Sequence, residues 1–293
     1  MLPDLQMLQV AARQAAACAE RMRLPMRTRV WQGAAGELAG AGTGVSMDFQ
    51  DHRPYFPGDD PRHINWQAYA RTGQYTMKLY REEVRPAVDI LFDASPSMFL
   101  TSEKAQRSAG LLHFVLECAQ RAGAGLSIHL LYAATARVIE PGTVAALRWV
   151  DELPAAAAPP NALPDLRPVH LRTNGLRILI SDLLFTGDPA EPLRTLGQGH
   201  GSSILLCPFA PEEAAPDWAG PCDFLDVESG RRDARHIDGG VLRRYRAAYD
   251  AHFEMWKEQA RRFRTPLARI SSMGSLETAL SAGALSAGAL ETF

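Results

Sequence analysis

The sequence predicts an α/β fold, a doubly wound and mostly parallel sheet with helices on both faces and one antiparallel edge strand. From residue 87 onward, continuous apolar runs typical of buried strands alternate with amphipathic helical stretches. The apolar stripe of residues 240–264, with steps of three and four, is the strongest helix signal in the chain. Two strand signals at 126–133 and 136–142 lie so close together that they indicate an antiparallel hairpin at a sheet edge.

Upstream of this alternation, the sequence predicts one helix and one strand. Asp60 and Pro61 are typical of a helix start, and Gly73 is typical of the position just past a helix end. A helix is therefore predicted from Asp60 to about Arg71. Along residues 75–83, apolar side chains recur at every second position, which is typical of a half-buried strand.

The remaining elements follow from the same signals. Gly123 ends a predicted helix over residues 104–123, whose apolar face includes Leu111 and Val115. The other predicted elements are strands at 87–92, 176–184, 202–209 and 266–272, and helices at 143–153 and 275–285. Residues 208–238 are expected to form a surface excursion with a basic tip. Parallel sheets bind ligands beyond the carboxyl ends of their strands, so those ends are where a site is expected.

Composition argues against several classes of partner. The formal net charge of -2 does not favour nucleic acid or an anionic membrane. The four cysteines lie far apart, which indicates a reduced compartment and no structural zinc. No segment reaches the roughly 20 apolar residues of a spanning helix, and Asp4 and Arg13 interrupt the region where a signal peptide has its apolar core. We therefore expect a cytoplasmic protein with no membrane span and no nucleic-acid partner.

The chain divides into three predicted parts. Residues 1–27 form an amphipathic helix, 28–84 a distinct upstream segment, and 85–293 the main domain. The first helix either docks on the body or binds a partner. The glycines of residues 28–58 fit neither a dinucleotide-binding motif nor a P-loop, so nucleotide binding there is not expected.

The first strand of the alternation ends in the pattern D-x-S-x-S, formed by Asp93, Ser95 and Ser97. Asp182 follows another apolar run, at the equivalent place after a later strand. Hard oxygen ligands suit Mg²⁺, with Mn²⁺ or Ca²⁺ as alternatives. The sequence therefore predicts a divalent-metal site. The structural alternative is that these side chains only cap the helices that follow.

These residues resemble the metal-ion-dependent adhesion site of the von Willebrand factor A domain. The resemblance implies that Ser95 and Ser97 bind the metal directly and that a carboxylate from a partner protein completes its coordination. It also implies that Asp93 and Asp182 act through water. By spacing, Asn161 falls where that family has a threonine ligand, which implies weak or absent metal binding.

The segment Arg53–Glu83 resembles the signature of the bacterial domain-of-unknown-function family fifty-eight, a Y-x-P-G-D-D-x-R-x-I-D-W-x-x-x-A-R motif ahead of a von Willebrand A-like domain. Asn65 stands where that motif has Asp. The combined resemblance runs from about residue 45 to 275. It implies that a MoxR-type AAA+ ATPase and an unidentified client protein are partners. The residues singled out in the segment are Arg53, Tyr55, Gly58, Asp59, Asp60, Arg62, Trp66 and Arg71.

The same segment has a structural and a docking interpretation. In the structural one, Asp60 caps the helix, and two arginines form ion pairs with acidic neighbours. The expected pairs join Arg62 and Arg71 to Asp59 and to Glu82 or Glu83, while Ile64 and Trp66 pack against the sheet. In the docking one, exposed Arg and Trp side chains anchor a partner.

The function predicted from the sequence is protein–protein interaction through a magnesium-dependent adhesion-type site, without catalysis. Two alternatives remain open. One is a metal-free scaffold that binds through Arg53–Glu83. The other is a metal-dependent hydrolase with Asp93 and Asp182 as ligands, although no nucleophile motif or paired-histidine spacing accompanies them.

Overall fold

The computed structural model describes residues 2–26, 47–82, 85–132, 135–153 and 165–293. The helices in these ranges are α1 (Leu5–Ala19), α2 (Trp66–Thr72), α3 (Ser102–Arg121), α4 (Pro141–Ala145), α5 (Ala190–Leu196), α6 (Pro211–Ala214), α7 (Gly239–Arg262) and α8 (Leu276–Leu280). The strands are β1 (Met22–Arg23), β2 (Met47–Pro54), β3 (Thr76–Glu82), β4 (Ala87–Asp93), β5 (Gly125–Tyr132), β6 (Thr135–Ile139), β7 (Leu176–Ile180), β8 (Ser202–Phe209), β9 (Gly220–Leu225), β10 (Arg232–Ile237), β11 (Leu267–Ser271) and β12 (Glu291–Thr292).

Six strands form the central sheet in the order β11-β8-β7-β4-β5-β6. Neighbouring strands are parallel except β5 and β6, which pair antiparallel at one edge. Counted from β4 as the first strand, the order is 6-5-4-1-2-3. This is the doubly wound order, in which the direction of the connections reverses between the first and fourth strands. The predicted fold class, including its antiparallel edge strand, is confirmed.

The sheet separates two apolar cores, and β4 contributes to both. Ile90 and Phe92 pack on the face covered by α1, α3 and α8, whereas Leu91 packs on the face covered by α5 and α7. Successive side chains of a strand point to opposite faces, so a strand covered on both sides is apolar along most of its length. This double burial is the physical reason for the long apolar run ahead of Asp93.

Helix α1 belongs to the first core. Asp4 caps it by accepting a hydrogen bond of 2.7 Å from the amide of Met7. Leu8, Ala11 and Ala15 are buried in the core that α1 shares with α3. The first helix therefore docks on the body of the domain through one face.

Contacts divide the chain into two compact units, one made of Met1–Met26 and Ala87–Phe293 and the other of Arg27–Pro86. In the second unit, β2 pairs antiparallel with β3. The single helix predicted from Asp60 to Arg71 is wrong. A 3₁₀ turn at Pro61–His63 is followed by an isolated β-bridge between Ile64 and Met77, and only then does α2 begin.

Several predicted boundaries also change. The helix predicted at 143–153 is the short α4 followed by a 3₁₀ turn at Trp149–Glu152. Part of the predicted surface excursion is the antiparallel pair β9 and β10. By contrast, α7 at Gly239–Arg262 confirms the strongest helix prediction.

The last predicted helix is divided into α8 and a π turn at Ser281–Leu285 that packs against β11. A Cβ atom on Gly283 would clash with the carbonyl oxygen of Arg269. A glycine at this position is therefore what allows the π turn to approach the backbone of β11 so closely.

Candidate functional site

Two buried carboxylates lie at the switch point of the sheet. Asp93 is the last residue of β4, and Asp182 lies two residues past the end of the neighbouring strand β7. They are 4% and 2% exposed. Because β4 and β7 are parallel neighbours, their carboxyl ends meet at one edge, where doubly wound sheets place their ligands.

Two hydroxyl groups follow the first carboxylate. The chain turns into a 3₁₀ turn at Pro96–Phe99, which places Ser95 and Ser97 side by side, both half-buried. Their Oγ atoms are 3.0 Å apart and share a hydrogen bond. The amide of Ser95 donates to Oδ1 of Asp93 over 2.9 Å, which fixes the carboxylate beside the turn.

Asp93 is held in an environment that disfavours its charge. Its Oδ2 accepts a hydrogen bond of 2.6 Å from the hydroxyl of Ser181. Burial and the negative charge of Asp182 raise the pKa of Asp93, whereas the hydrogen bonds from Ser181 and Ser95 lower it. The net result is a pKa of about 6.

A fully buried lysine neutralises the second carboxylate. Lys104 in α3 donates from Nζ to Oδ2 of Asp182 over 2.9 Å and to Oε1 of Glu213 over 2.6 Å. Burial lowers the pKa of Lys104, but the charges of Asp182 and Glu213 outweigh it, so this pKa lies above its usual range. Oε2 of Glu213 also accepts from the amide of Ala210 over 2.7 Å.

The backbone after Asp182 takes a rare conformation. Leu183 has φ of +59°, a left-handed value that a bulky side chain seldom adopts. The hydroxyl of Ser181 accepts from the amide of Leu183, and Oδ1 of Asp182 accepts from the amide of Leu184, both over 3.1 Å. His252 makes a contact of 2.7 Å through Nε2 with the carbonyl oxygen of Leu183. This strand end is therefore fixed from several sides, as ligand sites often are.

The donor set allows a test of the predicted metal site. Mg²⁺ binds oxygen at 2.0–2.1 Å in an octahedron, so two adjacent ligands are about 2.9 Å apart. The 3.0 Å between the hydroxyl oxygens of Ser95 and Ser97 fits that separation. The ammonium of Lys104 opposes a second cation nearby. Among the described residues, no three His, Cys, Asp or Glu side chains are grouped as ligands. The residues thus fit a weakly bound cation held mainly by hydroxyls.

In the upstream unit, Asp59 and Asp60 each pair with an arginine of the same segment. Arg53 donates from Nη1 and Nη2 to the two carboxylate oxygens of Asp59, each over 2.7 Å. The hydrogen bond from Arg53 lowers the pKa of Asp59 to about 2. Asp60 accepts from the amide and the guanidinium of Arg62. The predicted pairing of Arg62 with Asp59 is therefore wrong, because Asp59 pairs with Arg53 and Arg62 pairs with Asp60.

The same unit carries an exposed aromatic cluster, made of Trp66, Tyr69 and Tyr75. The rings of Tyr69 and Tyr75 stack with centroids 4.4 Å apart, and Trp66 meets both edge-on. Trp66 is 57% exposed. Ile64 is buried, at its β-bridge to Met77.

Comparison with known families identifies the chain. The family described as "Protein of unknown function DUF58" matches residues 51–259. The chain belongs to the DUF58 family. This confirms the resemblance seen in the Arg53–Glu83 motif. No curated protein matches the sequence significantly.

Two solved structures resemble this DUF58 chain distantly. One is the conserved hypothetical protein BatB from Bacteroides thetaiotaomicron, at 12% identity. The other is an aerotolerance-related membrane protein from Bacteroides fragilis NCTC 9343, at 15% identity. Each covers 69% of this chain and 98% of its own, with a TM-score of 0.36, too low to support an inference. Within the described ranges of the DUF58 chain, no helix has the length and apolar character needed to cross a bilayer.

The predicted strand-end residues come together only in part. Asp93, Ser95, Ser97 and Asp182 converge on one edge of the sheet. Asn161, predicted to replace a threonine ligand, lies outside the described residues.

Sequence reasoning missed two charged residues of the site, Lys104 and Glu213. A signal for the lysine exists in this DUF58 chain. Lys104 continues backward, in steps of three and four, the buried stripe that contains Ser108, Leu111 and Val115. Glu213 lies just past the carboxyl end of β8, at the same edge as Asp93 and Asp182.

Proposed function

We propose that this DUF58 chain is a protein-binding module that captures a partner's carboxylate at the switch-point edge of its sheet, with the help of a divalent cation. The observation that carries the proposal is the convergence of four oxygen-bearing side chains there, with the hydroxyls of Ser95 and Ser97 3.0 Å apart. That spacing suits neighbouring ligands of Mg²⁺, and also of Mn²⁺.

Each side chain has a proposed role. Ser95 and Ser97 would bind the cation directly, because their hydroxyls are half-buried and lie side by side at the strand end. Asp93 and Asp182 already accept hydrogen bonds from protein donors, so they would act through water. When bound, the cation supplies a coordination position that a partner's carboxylate can fill.

Lys104 supports weak binding of the cation. Its ammonium already balances part of the negative charge of Asp182 and Glu213, which leaves less for a dication. A partner's carboxylate would add the charge that the site lacks. On this proposal, cation and partner therefore bind together more tightly than either binds alone.

The proposed partner is a MoxR-type AAA+ ATPase that acts on a client protein in the cytoplasm. Support comes from family membership, because the chain matches the DUF58 family over residues 51–259. A non-catalytic adaptor role accords with a site in which the buried carboxylates are held by protein donors.

The test uses the purified chain and a purified MoxR-type ATPase from the same organism. Binding is measured by interferometry in Mg²⁺, in Mn²⁺ and in EDTA. We expect at least a tenfold loss of affinity in EDTA and in the Ser97→Ala variant. Ser286→Ala, which changes a serine on the exposed C-terminal segment, is the matched control and should bind as the native chain does.

Equal affinity with and without metal, together with native binding by Ser97→Ala, would exclude the metal-bridged mechanism. Loss of binding in both serine variants alike would show that folding, not ligation, is at fault. Titration of Mn²⁺ alone, followed by its electron paramagnetic resonance signal, tests the cation site without a partner.

A second candidate surface is the exposed aromatic cluster of the upstream unit. Trp66 and Tyr75 are 57% and 48% exposed, which is unusual for large aromatic side chains without a partner. On this alternative, the chain is a metal-free scaffold. Trp66→Ala would then reduce ATPase binding at least tenfold in EDTA as in Mg²⁺. Leu225→Ala, in the other unit and equally exposed at 57%, is the control.

A further inference from the structure

A cavity lies away from the switch-point carboxylates, beside α1, α3 and the loop that follows β11. Its volume is about 330 Å³. The lining includes polar side chains from both helices and the backbone of the loop. The residues used below are Gln14, Glu103, Gln106, Arg107, Met273 and Leu276.

The cavity contains a buried guanidinium that is incompletely bonded. Arg107 is 5% exposed. Its Nη2 donates to three backbone carbonyl oxygens of the loop, those of Ser272, Met273 and Gly274, over 3.2, 3.3 and 2.7 Å. Its Nε is buried and has no hydrogen-bond partner. A guanidinium has five N–H donors, so most of its bonding capacity remains unused.

No carboxylate within the described residues neutralises this charge. Glu103 lies one turn before Arg107 on α3 and lines the same cavity, but it accepts from the hydroxyl of Ser102 and forms no ion pair with Arg107. Carbonyl oxygens carry only partial charge. Because the guanidinium is buried, its pKa is lowered. An anion bound beside Arg107 would supply the missing counter-charge.

We propose that the cavity binds a single carboxylate group of a peptide through Arg107. One guanidinium with an acidic residue at the rim favours a monoanion over a doubly charged phosphate, because the charge of Glu103 opposes extra negative charge. The amides of Gln14 and Gln106 can bond the adjoining peptide group. Met273, 57% exposed, and Leu276 offer apolar contact beside them.

This site is independent of the metal-dependent function proposed above. It uses none of the switch-point residues, and a carboxylate would bind it directly through N–H donors. Binding here should therefore persist in EDTA and in the Asp93→Asn variant.

The experiment follows the backbone amide resonances of Gly110 and Gly274 in the ¹⁵N-labelled full chain, in EDTA. Three peptides distinguish the source of the carboxylate: acetyl-Gly-Gly with a free C-terminus, its amide, and acetyl-Gly-Asp-Gly-amide. We expect saturable shifts with millimolar affinity for one or both carboxylate peptides, and none for the amide. Inorganic phosphate is the fourth probe and should bind more weakly.

Variants decide whether Arg107 is responsible. Arg107→Met should lose at least tenfold in affinity. Glu103→Gln should gain about twofold, while the control Glu254→Gln, on α7 beyond the opposite face of the sheet, should bind as the native chain does. If Arg107→Met does not fold, Gln106→Glu replaces it and should lose at least threefold, because it adds a negative charge to the cavity lining.

Three outcomes would overturn the proposal. The first is an equal response to the amide peptide, and the second is tighter binding of phosphate than of either carboxylate. The third is unchanged affinity in Glu103→Gln together with unchanged affinity in Arg107→Met or its replacement.

Discussion

Two buried cations lie one turn apart on α3 and are stabilised in opposite ways. The ammonium of Lys104 lies between the carboxylates of Asp182 and Glu213. The guanidinium of Arg107 contacts only backbone carbonyl oxygens among the described residues. The first charge is balanced inside the protein, and the second is not.

The difference indicates which group maintains the fold and which is open to a ligand. A buried ion pair is costly to break, because removing one partner leaves the other charged and desolvated. A buried cation without a counter-ion is more readily dispensed with, and it can gain from an anion that arrives from solution. The four predictions below test this contrast on the same free-energy scale, by urea unfolding in EDTA.

The largest effect is expected for Lys104→Met. The substitution leaves Asp182 and Glu213 buried without their cation, which should cost about 3–5 kcal/mol at pH 7. The triple variant Lys104→Met, Asp182→Asn, Glu213→Gln removes all three charges and should recover most of that loss. Failure of the triple variant to recover any stability would show that packing, not charge, dominates at this position.

His113, also on α3, tests the effect of burying a titratable side chain in its neutral form. It is 5% exposed, its Nε2 has no hydrogen-bond partner, and burial lowers its pKa to about 4 from 6.5. Between these values the unfolded chain takes up a proton that the folded chain does not, so stability falls as the pH falls. The fall attributable to His113 should reach about 3 kcal/mol at most between pH 6.5 and 4.

The control for this effect is His113→Leu. The variant should show a flatter pH dependence of unfolding over the same range, whatever its stability at pH 7. An identical slope in both proteins would mean that His113 does not carry the effect.

A smaller loss is expected for Arg107→Met, which removes an unbalanced charge and leaves no carboxylate behind. The carbonyl oxygens of the loop lose one shared donor group, which should cost about 1–2 kcal/mol. A loss as large as that of Lys104→Met would contradict the contrast between the two cations.

The smallest effect is expected for Arg262→Ala. Arg262 pairs with Glu258 one turn earlier on α7, over 2.5 Å, with side chains 64% and 61% exposed. An exposed pair of this kind contributes about 0.5 kcal/mol. A loss above about 1.5 kcal/mol would show that solvent exposure does not rank these ion pairs.

Much of the fold could be predicted from the sequence, because a strand that is buried on both faces is recognisable as a continuous apolar run. The apolar run before Asp93 and the one before Asp182 both correspond to central strands. Their parallel alignment then brings the two carboxylates together without any further information. Helix α7 could also be predicted, because its apolar residues recur with the period of an α-helix.

The upstream helix could not be predicted because a longer-range contact overrides the local signals. Asp60 and Pro61 do begin a helical turn, but it is a single 3₁₀ turn. The β-bridge of Ile64 to Met77 then interrupts it, and the side chain of Asn65 caps a new helix by accepting from Ala68. A contact across that distance in sequence leaves no local pattern.

For a similar reason, the sequence predicted only some residues of the candidate site. The acidic and hydroxyl residues follow strands, where position alone suggests a role. Lys104 was given no role, because its partners Asp182 and Glu213 are distant in sequence and only the folded sheet brings them to α3.

The approach of Gly283 to β11 has a consequence for solubility. β11 is the outer strand of the sheet opposite β6, and an outer strand offers unpaired backbone groups to other chains. The carbonyl oxygen of Pro266 accepts from Leu205 in β8, so by alternation that of Arg269 points to the open side. The π turn at Ser281–Leu285 covers this oxygen. A single glycine thus allows the C-terminal segment to cover this part of β11, which opposes edge-to-edge aggregation.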